Sequence, residues 1–127
     1  MRFATTHEWV SLEGAVAKVG ITEFAVAEIK DIVYVDLPAA GTAVKAGEPF
    51  GAIETVKAAF DLYAPVSGTV KSSNAALTAS PDTVSRDPLG AGWMVEISVA
   101  DASAASAELA ALLDRPAYDI HCREHAH

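Results

Sequence analysis

The chain has 127 residues, 51% of them hydrophobic, a single cysteine and a formal net charge of −8 at pH 7. This length suits one domain, and one cysteine excludes an internal disulfide and a two-cysteine redox centre. The acidic balance argues against nucleic acid and anionic membrane as partners. With no apolar run as long as a membrane span and no apolar segment of a signal peptide at the start, we expect a cytoplasmic protein, or a mature mitochondrial chain without its leader.

The N-terminal part of the chain predicts a β-hairpin. Residues 6–10 open the fold, and Glu13 with Gly14 supplies the turn. Residues 15–21 alternate in character, which predicts a strand. One face of that strand carries Ala15, Ala17, Val19 and Ile21.

A short helix and a further strand follow. Thr22 is a suitable N-cap for a helix over residues 23–29, with Phe24 and Ala27 on the buried side. Residues 31–37 alternate as a strand. One face of this second strand carries Val33, Val35 and Leu37.

The middle of the chain predicts a hairpin with a lysine at its tip. The apolar run 50–53 indicates a buried strand, and a second extended segment ends at residues 64–65. Lys57 lies between them, with small or apolar neighbours. Most lysines are surface charges with no role beyond solubility. A lone amine on a rigid turn is nevertheless a good handle for a modifying enzyme and a poor catalytic group.

The C-terminal third mixes turns, one strand and a helix. It predicts, in order, one helical turn (74–77), an irregular loop (80–92), a strand (93–99) and a helix capped by Ser106 (107–114). Alanine-rich residues 102–105 extend the helix backwards. Residues 119–127 are predicted to form a disordered tail.

Short strands at close spacing, with helices confined to residues 23–29 and the C-terminus, predict an all-β fold. We expect a flattened barrel or sandwich of two antiparallel sheets. Residues 1–118 make up the single domain in this prediction.

The sequence shows no catalytic constellation. His7 and Glu8 are a possible acid–base pair, but adjacent residues on a strand point to opposite faces. A glycine-rich phosphate loop, a Gly-x-Ser-x-Gly elbow and a Cys-His-acid order are all missing. Residues 121–127 include histidines and a cysteine, but a terminal segment without a second ligand cluster predicts fraying rather than a metal site. We therefore expect neither an enzyme nor a metal centre.

The residues around Lys57 resemble one family. Residues 51–58 read Gly-Ala-Ile-Glu-Thr-Val-Lys-Ala and residues 61–68 read Asp-Leu-Tyr-Ala-Pro-Val-Ser-Gly, which is similar to the lipoylation segment of the glycine cleavage system H protein family. Further markers occur in the family's order at 6–9, 19–22, 24–25, 31–33, 35, 37–38, 90–93, 108–109, 112–114 and 118. The resemblance covers about residues 3–118, and it implies a hybrid fold like that of lipoyl and biotinyl domains.

The resemblance implies a carrier protein. Lys57 would hold lipoic acid in amide linkage, and Glu54 and Ala58 would be recognised by the ligase or transferase that attaches it. The arm would carry an aminomethyl group from glycine decarboxylase to the aminomethyltransferase and pass electrons to dihydrolipoyl dehydrogenase.

The chemistry of this cargo leads to a hypothesis about a cleft. An aminomethyl group on sulfur is a cation at neutral pH and is lost readily in open water. We expect the loaded arm to fold back towards Glu8 and Asp61, because a shielded, charge-assisted hydrogen bond is worth roughly 1.5–3 kcal/mol. The rest of the cleft would be lined by Ile21, Ala25 and Glu28. In the alternative, Glu8 and Asp61 are ordinary surface acids.

Other carriers and another role remain as alternatives. Biotin carriers favour methionine on both sides of the lysine, where Val56 and Ala58 stand here. Lipoyl domains of 2-oxoacid dehydrogenases usually place aspartate before the lysine and belong to longer chains. A third alternative is an unmodified relative that acts in lipoyl relay or as an interaction module. It stays open because the sequence does not show whether the lysine is modified.

Overall fold

The computed structural model describes residues 1–29, 32–99 and 102–125, and strands dominate this part of the chain. The strands are β1 (Arg2–Phe3), β2 (Glu8–Glu13), β3 (Val16–Ile21), β4 (Ile32–Asp36), β5 (Ala43–Val44), β6 (Pro49–Thr55), β7 (Ala59–Tyr63), β8 (Gly68–Ser73) and β9 (Val95–Ser98). The helices are α1 (Glu23–Ile29), α2 (Ala76–Ala79), α3 (Thr83–Arg86), α4 (Ala102–Ala110) and α5 (Arg115–His125).

The strands form two antiparallel sheets. One has six strands in the order β1-β2-β3-β9-β8-β5, and the other has three in the order β4-β6-β7. This confirms the predicted fold of two antiparallel sheets. The strands in the described part of the chain leave both sheets open and do not close them into a barrel. A single hydrophobic cluster draws on both sheets, with Val19 and Ile97 from the larger one and Val35 and Ile53 from the smaller one. Burial of apolar side chains from both sheets in one cluster holds the sheets together.

The predicted β2–β3 hairpin is confirmed. Gly14 has a φ of +60° in its turn, a backbone conformation that glycine adopts without steric cost. Ala17, Val19 and Ile21 are buried as the alternation predicts, whereas Ala15 lies outside the strand and is exposed.

The prediction for α1 is confirmed in its bounds and wrong for one residue. The Thr22 hydroxyl accepts a hydrogen bond from the Ala25 amide at 3.3 Å, as an N-cap does. Ala25 is the buried residue of α1, and Ala27 is exposed. Phe24 is half-buried.

The alternation predicted over residues 31–37 is wrong in β4. Ile32 and Val35 are buried, while Val33 and Tyr34 are both exposed. The register between β4 and β6 shifts between Ile32 and Tyr34. An extra residue at such a bulge breaks the two-residue period of the strand. Asp31, the first residue of the predicted strand, lies outside the described residues.

The segment between β8 and β9 has more regular structure than the sequence indicated. The predicted helical turn near 74–77 is found as α2, and the loop predicted over 80–92 contains α3. Leu77 and Val84 from these two helices are fully buried. Trp93 lies just before β9 and is half-buried, with the Lys18 ammonium 5.4 Å from its ring centroid.

The helix predicted over residues 107–114 is wrong in its bounds. Helix α4 already ends at Ala110, because Leu113 pairs with Phe3 through backbone hydrogen bonds of 2.8 and 2.9 Å. Ser106 lies inside α4 and does not cap it. Asp114 caps the next helix instead, since its carboxylate accepts a hydrogen bond from the Ala117 amide at 3.0 Å.

The structure also corrects the disordered tail predicted over residues 119–127. Helix α5 continues to His125, and residues 126–127 lie outside the described part. Tyr118 and Cys122 are four residues apart, so they lie on one face of α5. Both are buried, in a cluster with Phe3 and Trp9. Burial of this face stabilises α5, although the sequence of the helix is largely polar.

No helix in the described part of the chain has both the length and the apolar character needed to cross a membrane.

Candidate functional site: the lysine hairpin and its cleft

Lys57 lies in the tight turn that joins β6 and β7. The Thr55 amide donates to the Ala58 carbonyl at 2.8 Å. The Thr55 hydroxyl accepts from the Lys57 amide at 3.3 Å and the Ala58 amide at 3.1 Å, and it donates to the Ala58 carbonyl at 3.1 Å. A threonine side chain that satisfies the backbone groups of its own turn fixes that turn locally.

The strands beneath the turn give it a firm base. Strand β6 is the central strand of its sheet, and Glu54 pairs with Ala59 directly below the turn. The Val56 side chain is 75% exposed, and Lys57 is exposed as well. The hairpin therefore presents the Lys57 amine to solvent from a backbone that is hydrogen-bonded on both sides.

A cleft of about 340 Å³ lies along this hairpin. Its walls come from the start of β2, the end of β3, helix α1 and the strands β6 and β7. The residues that line it are Thr6, His7, Glu8, Ile21, Phe24, Ala25, Glu28, Ile29, Ile53, Phe60, Asp61 and Leu62. Phe60 is three positions after Lys57, a span of at most about 10 Å in an extended chain. The lysine and the cleft therefore belong to one region of the surface.

Glu8 is a buried acid in the wall of this cleft. Its residue is 2% exposed, and both carboxyl oxygens have partners. The Thr6 hydroxyl donates to one oxygen, and the Tyr63 amide donates to the other at 3.1 Å. Burial raises the pKa of Glu8 from 4.5 to about 7, because these hydrogen bonds only partly offset the loss of hydration. The alternative that Glu8 is an ordinary surface acid is therefore wrong.

His7 lies in the same cleft, contrary to the argument from strand alternation. It precedes β2 and has a φ of +76°, so the rule that neighbours point to opposite faces does not apply to it. Its Nδ1 is 2.7 Å from the Tyr118 hydroxyl. Burial and the nearby His121 lower the pKa of His7, while Glu28 acts in the opposite direction.

The charges along the cleft are predominantly negative. Asp61 and Glu28 are exposed and line the cleft from β7 and α1. The described residues along the cleft include no lysine or arginine. Apolar side chains such as Ile53 and Phe60 make up much of the remaining wall. This combination suits a ligand with an apolar stem and a cationic end.

The part of the chain that the structure describes contains no group of three or more histidine, cysteine or acidic side chains placed to hold a metal ion. Cys122 from the C-terminal segment is buried in the core.

Comparison with known proteins identifies the family of this chain. The sequence model described as "Glycine cleavage H-protein" matches residues 1–124. The chain belongs to the glycine cleavage H-protein family. It is 48% identical over 119 residues to the glycine cleavage system H protein of Phenylobacterium zucineum (strain HLK1), a match that covers 94% of this chain and 95% of that protein.

Other members of the H-protein family agree in length and structure. The glycine cleavage system H protein of Thermotoga maritima is 45% identical over 123 residues, which cover 97% of this chain and 96% of that protein. A crystal structure of a glycine cleavage system H protein from Mycobacterium marinum superimposes with a TM-score of 0.80 at 35% identity, covering 91% of each chain. The two-sheet fold is therefore that of the H-protein family.

The structure brings together the residues that the sequence analysis named for the cleft. Glu8, Asp61, Ile21, Ala25 and Glu28 all line it. Glu54 and Ala58 are exposed on either side of Lys57.

Further residues of the cleft wall were not predicted. Among them are Ile53 and Phe60, which are direct partners across β6 and β7. Their pairing follows from counting residues outwards from the lysine turn. His7 and Phe24 also line the cleft, and for His7 the sequence carries no signal, because no local pattern marks a histidine with a positive φ.

We expect Thr55→Ala to loosen the lysine turn. The variant loses a hydroxyl that bonds to the backbone of Lys57 and Ala58, so the Ala58 amide should exchange with solvent roughly tenfold faster, the scale of one or two hydrogen bonds. Hydrogen exchange followed by NMR measures this rate. Thr55→Ser keeps the hydroxyl and is the matched control. Equal exchange rates in Thr55→Ala and Thr55→Ser would show that the hydroxyl does not fix the turn.

We expect the free energy of unfolding to fall as pH rises through the titration of Glu8. Its pKa is higher in the folded protein than in the unfolded chain, so the folded state binds more protons between pH 4.5 and about 7. The stabilisation is complete below pH 4.5 and is lost as pH rises through about 7. The shift corresponds to about 3 kcal/mol.

Urea unfolding of Glu8→Gln at several pH values tests this expectation. The difference between its free energy of unfolding and that of the unchanged chain should vary with pH across this window. Glu13→Gln, at the exposed end of β2, should show no such variation. A pH-independent difference for Glu8→Gln would contradict the assignment.

Proposed function

We propose that this chain is the lipoyl-bearing shuttle of a glycine cleavage system, acting in the cytoplasm or, as a mature chain, in the mitochondrion. Its lysine would carry an aminomethyl group from glycine decarboxylase to the aminomethyltransferase, and electrons to dihydrolipoyl dehydrogenase. The observation that carries the proposal is the exposed Lys57 on a hydrogen-bonded turn beside an acidic cleft. Membership of the H-protein family supports it.

The residues around Lys57 fit a covalently attached lipoyl group. The lysine side chain is exposed to an attaching enzyme, and the turn restrains only the backbone. Once bound, the group supplies a dithiol–disulfide couple. The chain has a single cysteine, and it is buried, so this couple has to come from the attached group.

The positions of Glu54 and Ala58 support the proposal that the attaching ligase or transferase recognises them. Glu54 is the last outward residue of β6 before the turn, and Ala58 is the residue after Lys57. Both are exposed, and the antiparallel ladder and the Thr55 hydroxyl hold their backbone in place. An enzyme that binds a turn that is already fixed loses little conformational entropy in ordering it.

The lining of the cleft supports the proposal that the cationic cargo binds there. Glu8 lies in an apolar wall and ionises only near pH 7, and an ammonium placed beside it would favour the ionised form. Asp61 lies on β7, three residues past the turn, and is exposed. Ile21 and Ala25 are buried, and with the exposed Glu28 they extend the wall along β3 and α1. We propose that Glu8 and Asp61 accept hydrogen bonds from the cargo amine while the apolar wall excludes water.

The alternative is an unmodified relative that acts in lipoyl relay or as an interaction module. Such a role gives no reason for a buried acid in the wall of a cleft. Burying Glu8 costs stability above pH 7 (as the raised pKa implies), and a cation-binding role accounts for that cost. This observation favours the shuttle.

We expect Lys57 to carry a lipoyl group in protein isolated from its native cell. Intact mass spectrometry with peptide mapping should place the adduct on the peptide that contains Lys57. Lys57→Arg keeps the charge but should abolish the adduct, whereas Lys45→Arg, on an exposed loop, should retain it. A native protein without the adduct would favour the unmodified alternative.

We expect Glu8 to protect the aminomethyl cargo. In Glu8→Gln the cargo loses a charge-assisted hydrogen bond, so its half-life at pH 8 should shorten roughly tenfold. In the unchanged chain, protection should increase as pH rises towards 7, because Glu8 then becomes anionic. Its midpoint should lie below the value of about 7 of the unloaded protein, since the cargo cation favours the ionised carboxylate. The other titratable groups along the cleft are His7, Glu28 and Asp61.

The half-life is measured by trapping released formaldehyde after loading. Glu13→Gln is the matched control and should behave like the unchanged chain. If Glu8→Gln releases formaldehyde at the unchanged rate across pH 6–9, a range set around the Glu8 pKa of about 7, Glu8 has no protective role.

A further inference from the structure

The hydroxyl of Tyr118 lies at the junction of three segments. Tyr118 belongs to α5 and is 1% exposed. Its hydroxyl is 2.7 Å from His7 Nδ1 and 2.6 Å from the Thr22 hydroxyl. A buried hydroxyl with two partners from distant parts of the chain fixes the relative position of both.

Both partners adjoin the cleft. His7 lines the cleft and directly precedes Glu8. Thr22 lies between Ile21 and α1 and caps that helix through its hydroxyl. The Thr22 amide also donates to the His7 carbonyl at 3.0 Å. Tyr118 therefore holds the residue that precedes β2 and the residue that precedes α1, and both of these elements contribute to the cleft wall.

The backbone of His7 needs such support. Its φ of +76° lies in the left-handed region, which a residue with a Cβ rarely adopts. The local turn contributes a hydrogen bond from the His7 amide to the Ala4 carbonyl at 2.9 Å. The backbone angles at His7 set the direction in which Glu8 leaves the turn. Any relaxation of His7 towards an ordinary conformation would therefore move the Glu8 carboxyl.

Other contacts hold Tyr118 in place from its own side. Its ring stacks on Phe3, with centroids 4.9 Å apart and planes inclined by 17°. One turn earlier in α5, Arg115 forms an ion pair with Glu23 of α1. Helix α5 thus contacts the start of α1 through two residues. The Tyr118 hydroxyl also reaches the segment that carries Glu8, where the His121 ring of α5 lies 6.1 Å from the His7 ring.

We propose that Tyr118 is a positioning residue for the cleft: its hydroxyl holds His7 and Thr22, and through them the Glu8 carboxyl and the start of α1. Helix α5 thereby contributes to the function of the cleft as well as to packing. This inference rests on the proposed function insofar as the cleft receives the cargo, but the geometry it describes exists without the lipoyl group.

Tyr118→Phe tests the inference, because it removes the hydroxyl and keeps the ring on Phe3. Tyr34→Phe removes an exposed hydroxyl from β4, outside the cleft lining, and is the matched control. The first measurement is a ¹³C NMR titration of the Glu8 carboxyl in the protein without its lipoyl group, well below the unfolding temperature. In Tyr118→Phe the midpoint should fall from about 7 towards 4.5. An unchanged midpoint would overturn the inference.

A second measurement separates this inference from the proposed function. In the lipoylated protein, Tyr118→Phe should shorten the half-life of the aminomethyl cargo roughly fivefold, the scale of one lost hydrogen bond. If Glu8→Gln shortens it and Tyr118→Phe does not, positioning by Tyr118 is refuted and the proposed function stands. If neither variant shortens it, the proposed role of the cleft fails, and the titration alone decides the inference.

His7→Gly covers the case in which Tyr118→Phe does not fold. Glycine accepts the positive φ but loses the tether to Tyr118. Its Glu8 midpoint should fall in the same direction, and an unchanged midpoint in His7→Gly would count against the inference in the same way.

Discussion

The buried carboxyl of Glu8 connects the two sheets in the wall of the cleft. Glu8 begins β2 in the larger sheet, and its Oε2 accepts the backbone amide of Tyr63 at the end of β7 in the smaller sheet. A carboxyl in such a place loses hydration, and two donated hydrogen bonds restore only part of it. The hairpin that presents Lys57 is therefore fixed to the acid that we propose receives its cargo.

The N-terminal strand and the C-terminal helix pack together next to the segment that carries Glu8. Strand β1 pairs with Leu113 just before α5, and Phe3, Trp9 and Tyr118 form a buried aromatic cluster. Because Tyr118 bonds to His7 and Thr22, the C-terminal helix supports the parts of the cleft wall that come from the start of β2 and from α1. A carrier needs such rigidity, since a fixed backbone leaves the attached arm as the part that moves.

Local patterns predicted the elements whose environment repeats regularly. The β2–β3 hairpin, the N-cap at Thr22 and the hairpin around Lys57 all follow from turn residues and alternation, and the structure contains them. The predictions failed where a distant contact outweighs the local pattern. A register shift against β6 breaks the alternation of β4, and pairing of Leu113 with Phe3 ends α4 early.

The sequence by itself determined the family, the two-sheet fold and the exposed lysine on its turn, because these depend on short-range signals and on an ordered set of motifs. Five residues of the cleft wall were also predicted, from the chemistry of the cargo that the family resemblance implies. Only the tertiary structure decided that Glu8 is buried with a raised pKa, that His7 faces the same cleft and that α5 is ordered. Each of these depends on contacts between residues more than fifty positions apart, such as Glu8 with Tyr63. Patterns in the local sequence do not predict such contacts.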